Sequence, residues 1–197
     1  PKSIFNLMQN IDHRINVILK EPNKDTYDYE CSLGDLLKIF KISSNKIPRF
    51  NSYFDIPDRY IKKWNKKVSN RKFKIGIAWQ GKRGTMVDEG RSIELKYFSE
   101  ISKLKNVELI SLQKNDGVNQ IKEFSKNYKI LNFDNELDIE EKFMDTAGLM
   151  KNLDLVISSD TSTVHLAGAL GVNTWLLLQK YPYWYWCAEK DHSIWYE

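Results

Sequence analysis

The stretch LDLVISSDTSTVHLAGALGVNTWLLL, residues 153–178, decides the fold of this chain. It opens with the apolar run 153–157, continues through the small polar cluster 158–163, and then has the composition of a helix rich in small residues. Gly171 is placed to end that helix, and a second apolar run, 174–178, follows. A strand, a turn, a helix and another strand form the unit from which parallel sheets are built. The turn of this unit contains the side chains with chemical interest.

The same alternation is visible upstream of this stretch. Apolar runs predict three further strands, at 73–79, 107–112 and 128–133. Helical spacing predicts the helices between them, at 95–104, 118–128 and 139–150. Five strands alternating with four helices predict an α/β fold, a Rossmann-like parallel sheet flanked by helices, with right-handed crossovers. Ligands of such sheets bind beyond the carboxyl ends of the strands. This rule selects four loops, at 80–91, 113–117, 133–138 and 158–165.

The first 70 residues have weaker patterns. The expected elements are a helix at 4–11, a short strand at 15–19, a short helix at 33–40, a connecting segment at 43–57 and a surface helix at 58–68. Ser32 is placed to be the N-cap of the helix at 33–40. We therefore divide the chain into a partial helical N-terminal appendage, residues 1–70, and the sheet domain, residues 71–197.

Composition and charge exclude several classes of protein. The chain has 197 residues, of which 42% are hydrophobic, so it can form a core and is not disordered as a whole. The formal charge is only +4, and the basic residues are scattered. The densest basic run, 62–72, is typical of a solvated helix face. Nucleic-acid binding through this run is the weaker alternative, because no stacking aromatic residues alternate with it in a known module.

Cysteine usage and hydropathy set further limits. Cys31 and Cys187 are far apart and belong to no close-spaced Cys/His set, so we expect neither a zinc site nor a disulfide framework. No apolar run approaches the roughly 20 residues that span a membrane. The chain opens with no secretory leader, so the expected compartment is the cytoplasm. A start at Pro1 rather than Met is typical of a processed or excised piece.

The loop 158–165 lies where a strand turns into a helix. Free backbone N–H groups at a helix start, together with the positive end of the helix dipole, favour a phosphate, and Thr161, Ser162 and Thr163 add hydroxyl donors. Asp160 would repel a phosphate, so a sugar hydroxyl or a backbone N–H is its more natural partner. His165 either donates a hydrogen bond to a phosphate or holds the loop. In the alternative interpretation, Ser159 or Asp160 only caps the helix and His165 packs internally.

Two other loops add cationic and amide side chains at the same edge of the sheet. Lys82, Arg83 and Arg91 follow the strand at 73–79 and form either an anion cradle or a mobile basic loop. Gln113 and Lys114 follow the strand at 107–112, and either could contact a base or a diphosphate. Lys114 alone is more typical of an exposed residue. Glycine–lysine and GxGxxG nucleotide motifs are absent from the sequence.

Two features outside these loops have open interpretations. Asp145 lies mid-helix among apolar residues, where it could brace the phosphate loop, although a structural function is favoured. The C-terminal tail, YPYWYW and SIWY within 181–196, is strongly aromatic. It could stack on a sugar or a base, and packing against the sheet is the favoured alternative.

Several segments together resemble a known family. They are, in chain order, FKIGIAWQG, RSIELKYF, VELISLQK, FMDTAGLMKNLDLVISSDTSTVHLAGALG, NTWLLLQ, PYWYW and SIWY. They resemble the C-terminal part of tetratricopeptide-linked glycosyltransferases, which are similar to glycosyltransferase family 9, the heptosyltransferase-like proteins. YDYECSLGDLLKIF resembles the segment that closes the N-terminal half of that family, so the resemblance covers about residues 28–196. It implies a GT-B fold, in which two Rossmann-like halves hold a nucleotide-sugar and the C-terminal half binds the donor.

The resemblance also implies a function and a site. The donor diphosphate would contact residues 160–163 and His165, with Lys82 and Lys114 nearby. A sugar would pass from a nucleotide-diphosphate sugar to an unknown acceptor, without a divalent metal or other cofactor. Most of the N-terminal half and the tetratricopeptide repeats are missing from this sequence, and no general base is recognisable, so this piece could bind without turnover. The alternative is a non-catalytic interaction or nucleotide-binding module whose aromatic tail docks a partner.

Overall fold

The computed structural model describes residues 4–196 except 22, 24–25, 45, 69–70, 85–87, 89, 141–142 and 188. Within these residues, one parallel sheet forms from β1 (Phe73–Ala78), β2 (Val107–Ser111), β3 (Leu131–Asn132), β4 (Leu155–Ser159) and β5 (Thr174–Leu177). Their spatial order is β3-β2-β1-β4-β5. Helices cover both faces, so the predicted Rossmann-like α/β fold is confirmed.

The helices of the described residues are short. They are α1 (Phe5–Met8), α2 (Leu33–Ile39), α3 (Asp58–Asn65), α4 (Ser99–Ser102), α5 (Gln120–Phe124), α6 (Met144–Met150) and α7 (Ser162–Ala169). Single 3-10 turns lie at Leu95–Phe98 and Trp184–Trp186. Ser32 caps α2 by accepting a hydrogen bond from the backbone N–H of Asp35, which confirms the predicted N-cap.

Two apolar clusters lie on opposite faces of the sheet, because successive strand residues point to opposite sides. On one face, Ile77 and Ile157 pack against side chains of the 3-10 turn Leu95–Phe98 and of α5. On the other face, Val156 belongs to a cluster that includes side chains of α6 and α7. Leu7 of α1 and Trp64 of α3 belong to this second cluster. Part of the chain before β1 therefore packs onto the sheet domain.

Helix α3 lies tightly against α6. A Cβ on Gly148 would overlap the backbone of Tyr60, so the missing side chain permits the close approach of the two helices. Trp64 Nε1 and Lys63 Nζ donate to the buried carboxylate of Asp145 at 2.9 and 2.7 Å. Asp145 therefore joins α3 to α6, which is the structural function favoured for it from the sequence.

The basic run 62–72 makes ion pairs with the rest of the chain. Lys63 pairs with Asp145 at 2.7 Å, Lys67 pairs with Glu136, and Lys62 pairs with Asp58 of its own helix at 2.8 Å. These contacts fit the interpretation of the run as a solvated helix face that docks on the domain.

Two predicted elements are wrong. Residues 15–19 form no strand, and Ile15, Ile18 and Leu19 are each at least half exposed. The helix predicted at 139–150 begins only at Met144, and Ile139 is 70% exposed. Phe143 has a φ of 66°, so the chain before α6 cannot be helical there. Residues 141–142 of that prediction lie outside the described residues.

The two ends of the segment 11–54, which we call the excursion, lie side by side. The N–H of Asp55, just after it, donates to the carbonyl of Asn10, just before it, at 2.9 Å. Helix α2 lies within it and has no buried residue. Near the end of the excursion, the N–H of Tyr53 donates to the carbonyl of Ala169 at 2.6 Å, at the C-terminal end of α7.

Candidate functional site

A cleft of about 800 Å³ opens at the carboxyl ends of the central strands. β1 and β4 are neighbours in the sheet, and the strands that follow each of them lie on opposite sides. This arrangement is a topological switch point, where ligands of open α/β sheets bind. The loops after β1, β2 and β4 form the walls of the cleft, and Asp138, Phe143 and Thr146 close its far end.

The start of α7 forms one wall through Thr161, Ser162 and Thr163. Thr161 is the N-cap residue, and its side chain makes no capping hydrogen bond within the described part of the chain. The alternative in which Ser159 or Asp160 caps the helix is therefore wrong. An N-terminus whose N-cap side chain leaves the first N–H groups uncapped favours an anion, because those groups and the helix dipole are both positive.

Arg91 forms the opposite wall and reaches across to the end of β4. Its Nη1 donates to the carbonyl of Asp160 at 3.1 Å, and its Nε lies 3.7 Å from Asp88 Oδ1. A Cβ on Gly81 would overlap the guanidinium, so the glycine is what lets Arg91 lie flat against the loop. The side chain is only 15% exposed, and its Nε has no hydrogen-bond partner among the described residues. Arg91 therefore lines the cleft with a guanidinium that is held at Nη1 and has a buried, unpartnered N–H at Nε among the described residues.

The other two cations after β1 are placed differently. Lys82 lines the cleft at its exposed rim. Arg83 does not line it: the backbone N–H of Arg83 donates to Asp116 Oδ2 at 3.0 Å, and its Nη2 lies 3.5 Å from Gln80 Oε1. Arg83 therefore connects the loop after β1 to the loop after β2, and the structure brings Lys82 and Arg91, not Arg83, to the cleft.

Gln113 is buried, and its amide is occupied by backbone groups. Its Oε1 accepts from the N–H groups of Trp79 and Gln80 at 2.9 and 3.0 Å. Its Nε2 donates to the carbonyls of Gln80 and Asp116, both at 2.8 Å. Gln113 lines the cleft, but these four bonds make it a support of the wall rather than a group with free donors for a base or a diphosphate.

Lys114 is held in a similar way. Its Nζ donates to the carbonyls of Asp134 and Leu137 at 2.7 and 3.1 Å, and lies 3.1 Å from Asp134 Oδ1. Three acceptors match the three donors of an ammonium group. Lys114 therefore holds the loop after β3 against the loop after β2, and it supplies positive charge to the cleft only through space.

Asp160 and His165 face each other beside the cleft rather than inside it. His165 Nε2 lies 3.9 Å from Asp160 Oδ1, and Nδ1 lies 2.9 Å from the hydroxyl of Tyr196. The imidazole stacks on Trp186 with 5.0 Å between ring centroids and 17° between planes. Burial lowers the pKa of His165, and the nearby Asp160 opposes that shift. His165 thus makes the internal contacts that one of the two sequence interpretations expected.

Sequence reasoning did not identify the far end of the cleft. Asp138 accepts hydrogen bonds from the N–H and Oγ1 of Thr146 at 3.0 and 2.5 Å, and so caps α6 from outside the helix. Burial raises the pKa of Asp138, and the hydrogen bonds from Thr146 oppose that shift. Loop 133–138 was selected by the strand-end rule, but no pattern in the sequence indicated that Asp138 would bend back onto α6.

Two further features are absent from the described residues. These residues contain no cluster of three or more His, Cys, Asp or Glu side chains arranged to hold a metal ion. None of the helices in the described ranges combines the length and the apolar character that crossing a membrane requires.

Comparison with known proteins connects this geometry to a fold. The structure of ADP-heptose LPS heptosyltransferase II from Escherichia coli superimposes with a TM-score of 0.50 and 11% identity, over 62% of this chain and 38% of that one. The two proteins share a Rossmann-like α/β fold over this part of their chains. Protein FlbA of Caulobacter vibrioides is 22% identical over 158 residues, which cover 79% of this chain and 26% of FlbA. No family model matches the sequence. The chain thus spans about a quarter of FlbA and less than two fifths of the heptosyltransferase.

Proposed function

We propose that this chain is the donor-binding domain of a glycosyltransferase that transfers a sugar from a nucleotide-diphosphate sugar to an acceptor. The observation that carries the proposal is the position of Arg91, which faces the N-terminal end of α7 across the cleft at the switch point. The fold shared with a heptosyltransferase whose name specifies ADP-heptose supports the same class of donor.

The chemistry of the cleft suits a diphosphate leaving group. The start of α7 offers backbone N–H groups and the positive end of a dipole, and Thr161 and Thr163 add hydroxyls. Arg91 offers a guanidinium fork, and Lys82 adds a second cation at the rim. Groups of this kind stabilise the charge that develops on a leaving diphosphate. A cleft of about 800 Å³ is within the range of small-molecule sites.

Asp160 and His165 suit a sugar hydroxyl next to the diphosphate. An imidazole N–H and a carboxylate oxygen 3.9 Å apart are too distant to bond each other. One hydroxyl placed between them could accept from Nε2 and donate to Oδ1. The Asp160 carboxylate faces His165 rather than the cleft, which reduces its repulsion of a bound phosphate.

The proposal divides the candidate residues by function. Lys82, Thr161, Ser162, Thr163 and Arg91 bind the diphosphate. Asp160 and His165 bind a sugar hydroxyl. The other three candidates, Arg83, Gln113 and Lys114, hold the walls of the cleft in place.

Several features belong to the proposal alone. They are the division at residue 70, the C-terminal position in a two-half enzyme, the linkage to tetratricopeptide repeats and the cytoplasmic location. We expect the acceptor site and the general base in the N-terminal half of such an enzyme, since the chain spans only 38% of the heptosyltransferase.

Calorimetric titration of the chain with UDP, GDP and ADP tests the proposal. Arg91→Lys keeps the charge but loses the fork, so we expect about 10-fold weaker binding of whichever diphosphate binds. Arg59→Lys on α3, far along the sequence from the cleft loops and outside the cleft wall, is the matched control and should bind as the unchanged chain does. Absence of binding by all three diphosphates would overturn the proposal. Equal binding by Arg91→Lys would overturn the assignment of the cleft.

A non-catalytic interaction module is the second candidate. The observation that favours it is the exposure of the aromatic side chains after β5, since Tyr181 and Trp184 are 79% and 78% exposed. This candidate predicts that no diphosphate binds in the titration above, so the same experiment separates the two functions.

A further inference from the structure

Aromatic side chains of the C-terminal tail surround part of the imidazole of His165, whose side chain is 39% exposed. Tyr196 approaches Nδ1 with its hydroxyl at 2.9 Å, and Trp186 covers one face of the ring. Tyr185 approaches from the side, with 5.9 Å between centroids. The only part of the ring that faces a carboxylate in the described structure is Nε2, opposite Asp160.

Tyr196 is itself held from two sides. A Cβ on Gly168 of α7 would overlap the Tyr196 ring, so that ring rests directly on the helix backbone. On its other side, the ring meets the edge of Tyr53 with 6.3 Å between centroids and 88° between planes. The Tyr53 hydroxyl donates to the carbonyl of Trp195 at 2.9 Å. The Tyr196 hydroxyl is thus fixed in its position beside His165.

Electrostatics selects one tautomer of this ring. A neutral imidazole has a single N–H, on Nδ1 or on Nε2. The carboxylate of Asp160 favours the N–H on Nε2, which leaves Nδ1 to accept from the hydroxyl of Tyr196. Burial raises the pKa of Tyr196 to about 12, so that hydroxyl keeps its proton at neutral pH. The titratable groups that face His165 are Asp160, Tyr185 and Tyr196.

We infer that Tyr196 is a positioning residue, which acts through His165: its hydroxyl donates to Nδ1 and so holds the ring with its Nε2–H beside the Asp160 carboxylate. The inference rests on the proposed function, since the group to be received between Nε2 and Asp160 is a hydroxyl of the donor sugar. Tyr196 does not touch the sugar. The tail and the segment around Tyr53 therefore position His165 from outside the proposed sugar-binding site.

The ligand-free chain provides the first test. Long-range ¹H–¹⁵N correlation spectra identify which imidazole nitrogen carries the proton, and we expect Nε2–H for His165. Tyr196→Phe removes only the hydroxyl that donates to Nδ1, so the ¹⁵N signal of Nδ1 should move toward that of an imidazole nitrogen without a donor, while Nε2 keeps its proton. Tyr181→Phe removes the hydroxyl of another tail tyrosine, which is 79% exposed, and it should leave the Nδ1 signal unchanged. A proton on Nδ1 in the unchanged chain, or an unmoved Nδ1 signal in Tyr196→Phe, would overturn the inference.

Binding provides the second test, with UDP-glucose, GDP-mannose and ADP-glucose as probes beside the three diphosphates. Tyr196→Phe should weaken the sugar nucleotide by about 3- to 10-fold, the effect of one hydrogen bond, and should leave the matching diphosphate unaffected. Equal losses for both ligands would indicate a merely structural function and would overturn the inference. If the unchanged chain binds no nucleotide at all, the proposed function fails. In that case the sugar-positioning inference falls with it, whereas the tautomer spectra still report on the contact itself.

Discussion

The indole Nε1 of Trp64 donates a 2.9 Å hydrogen bond to the carboxylate of Asp145, and this bond joins α3 to α6 inside the core. Lys63 Nζ donates to the same oxygen, and the N–H of Asp138 donates to the other at 3.2 Å. The Asp145 side chain is only 6% exposed. A single carboxylate thus connects the helix before β1, the far end of the cleft and the start of α6.

Asp145→Ala should lower the free energy of unfolding by about 3 kcal/mol, because it leaves the buried indole N–H and the Lys63 ammonium without their acceptor. Urea denaturation measures the change. Asp58→Ala is the matched control, because it removes an ion pair with Lys62 whose two side chains are 76% and 74% exposed. That pair should contribute less than about 0.5 kcal/mol. Equal losses for the two variants would show that the buried network does not stabilise the fold.

Gly81→Ala should weaken diphosphate binding by about 10-fold without a change of charge, because the new Cβ would push the guanidinium of Arg91 away from its place in the cleft. Calorimetry with the diphosphate that binds the unchanged chain measures the effect. The control is Gly34→Ala in the exposed helix α2, where the nearest atom to the added Cβ is Ser32 Oγ at 3.7 Å. Undiminished affinity in Gly81→Ala would contradict the importance of the fixed guanidinium.

The two neighbouring tryptophans of the tail should respond very differently to truncation. Trp186 is 5% exposed and covers His165, so Trp186→Ala should cost about 3–5 kcal/mol in unfolding free energy. Trp184 is 78% exposed, so Trp184→Ala should change it by less than about 0.5 kcal/mol. Urea denaturation of both variants tests the prediction. A large loss in Trp184→Ala would mean that the exposed ring is covered in solution, which is what the interaction-module alternative expects.

His165 should make stability depend on pH in one direction. Burial lowers its pKa in the folded chain below the ordinary value of 6.5, so the unfolded chain binds the proton more tightly. The stabilisation is complete above about pH 6.5 and is lost as the pH falls through the folded pKa. The stability difference between the unchanged chain and His165→Gln should therefore shrink from pH 7.5 to pH 5. A difference that grows on acidification would contradict a buried neutral imidazole.

The two central strands were predictable because each is a short apolar run that becomes buried on both faces of a parallel sheet. β1 and β4 show this pattern, since their last four and all five residues, respectively, are buried. The alternation at 15–19 resembles a strand equally well, but no neighbouring strand pairs with it in the described structure, and alternation alone does not supply one. The sequence did not reveal that α6 begins only at Met144, because the left-handed residue before it is Phe143 and not a glycine.

The location of the cleft was predictable, whereas the hydrogen bonds of the side chains that line it were not. The strand-end rule places Lys82, Gln113 and Thr163 in one cleft because parallel strands all end at the same edge of the sheet. The partners of the Gln113 amide are backbone N–H and carbonyl groups of the neighbouring loop, and their distances from it depend on how that loop closes. His165 and Tyr196 are 31 positions apart, so no periodic pattern in the sequence predicts the hydrogen bond between them.

The hydrogen bond between Asp55 and Asn10 marks a place where the chain could be shortened. This bond holds the two ends of the excursion 11–54 next to each other. A short glycine-rich linker could therefore connect them in place of the middle of that segment, including all of α2. Asn51 and Tyr53 would have to stay, because the N–H of Tyr53 donates to the carbonyl of Ala169 at the end of α7 and the carbonyl of Asn51 packs against Gly171. A trimmed chain of this design would retain the sheet and its cleft while losing most of the exposed apolar surface before β1.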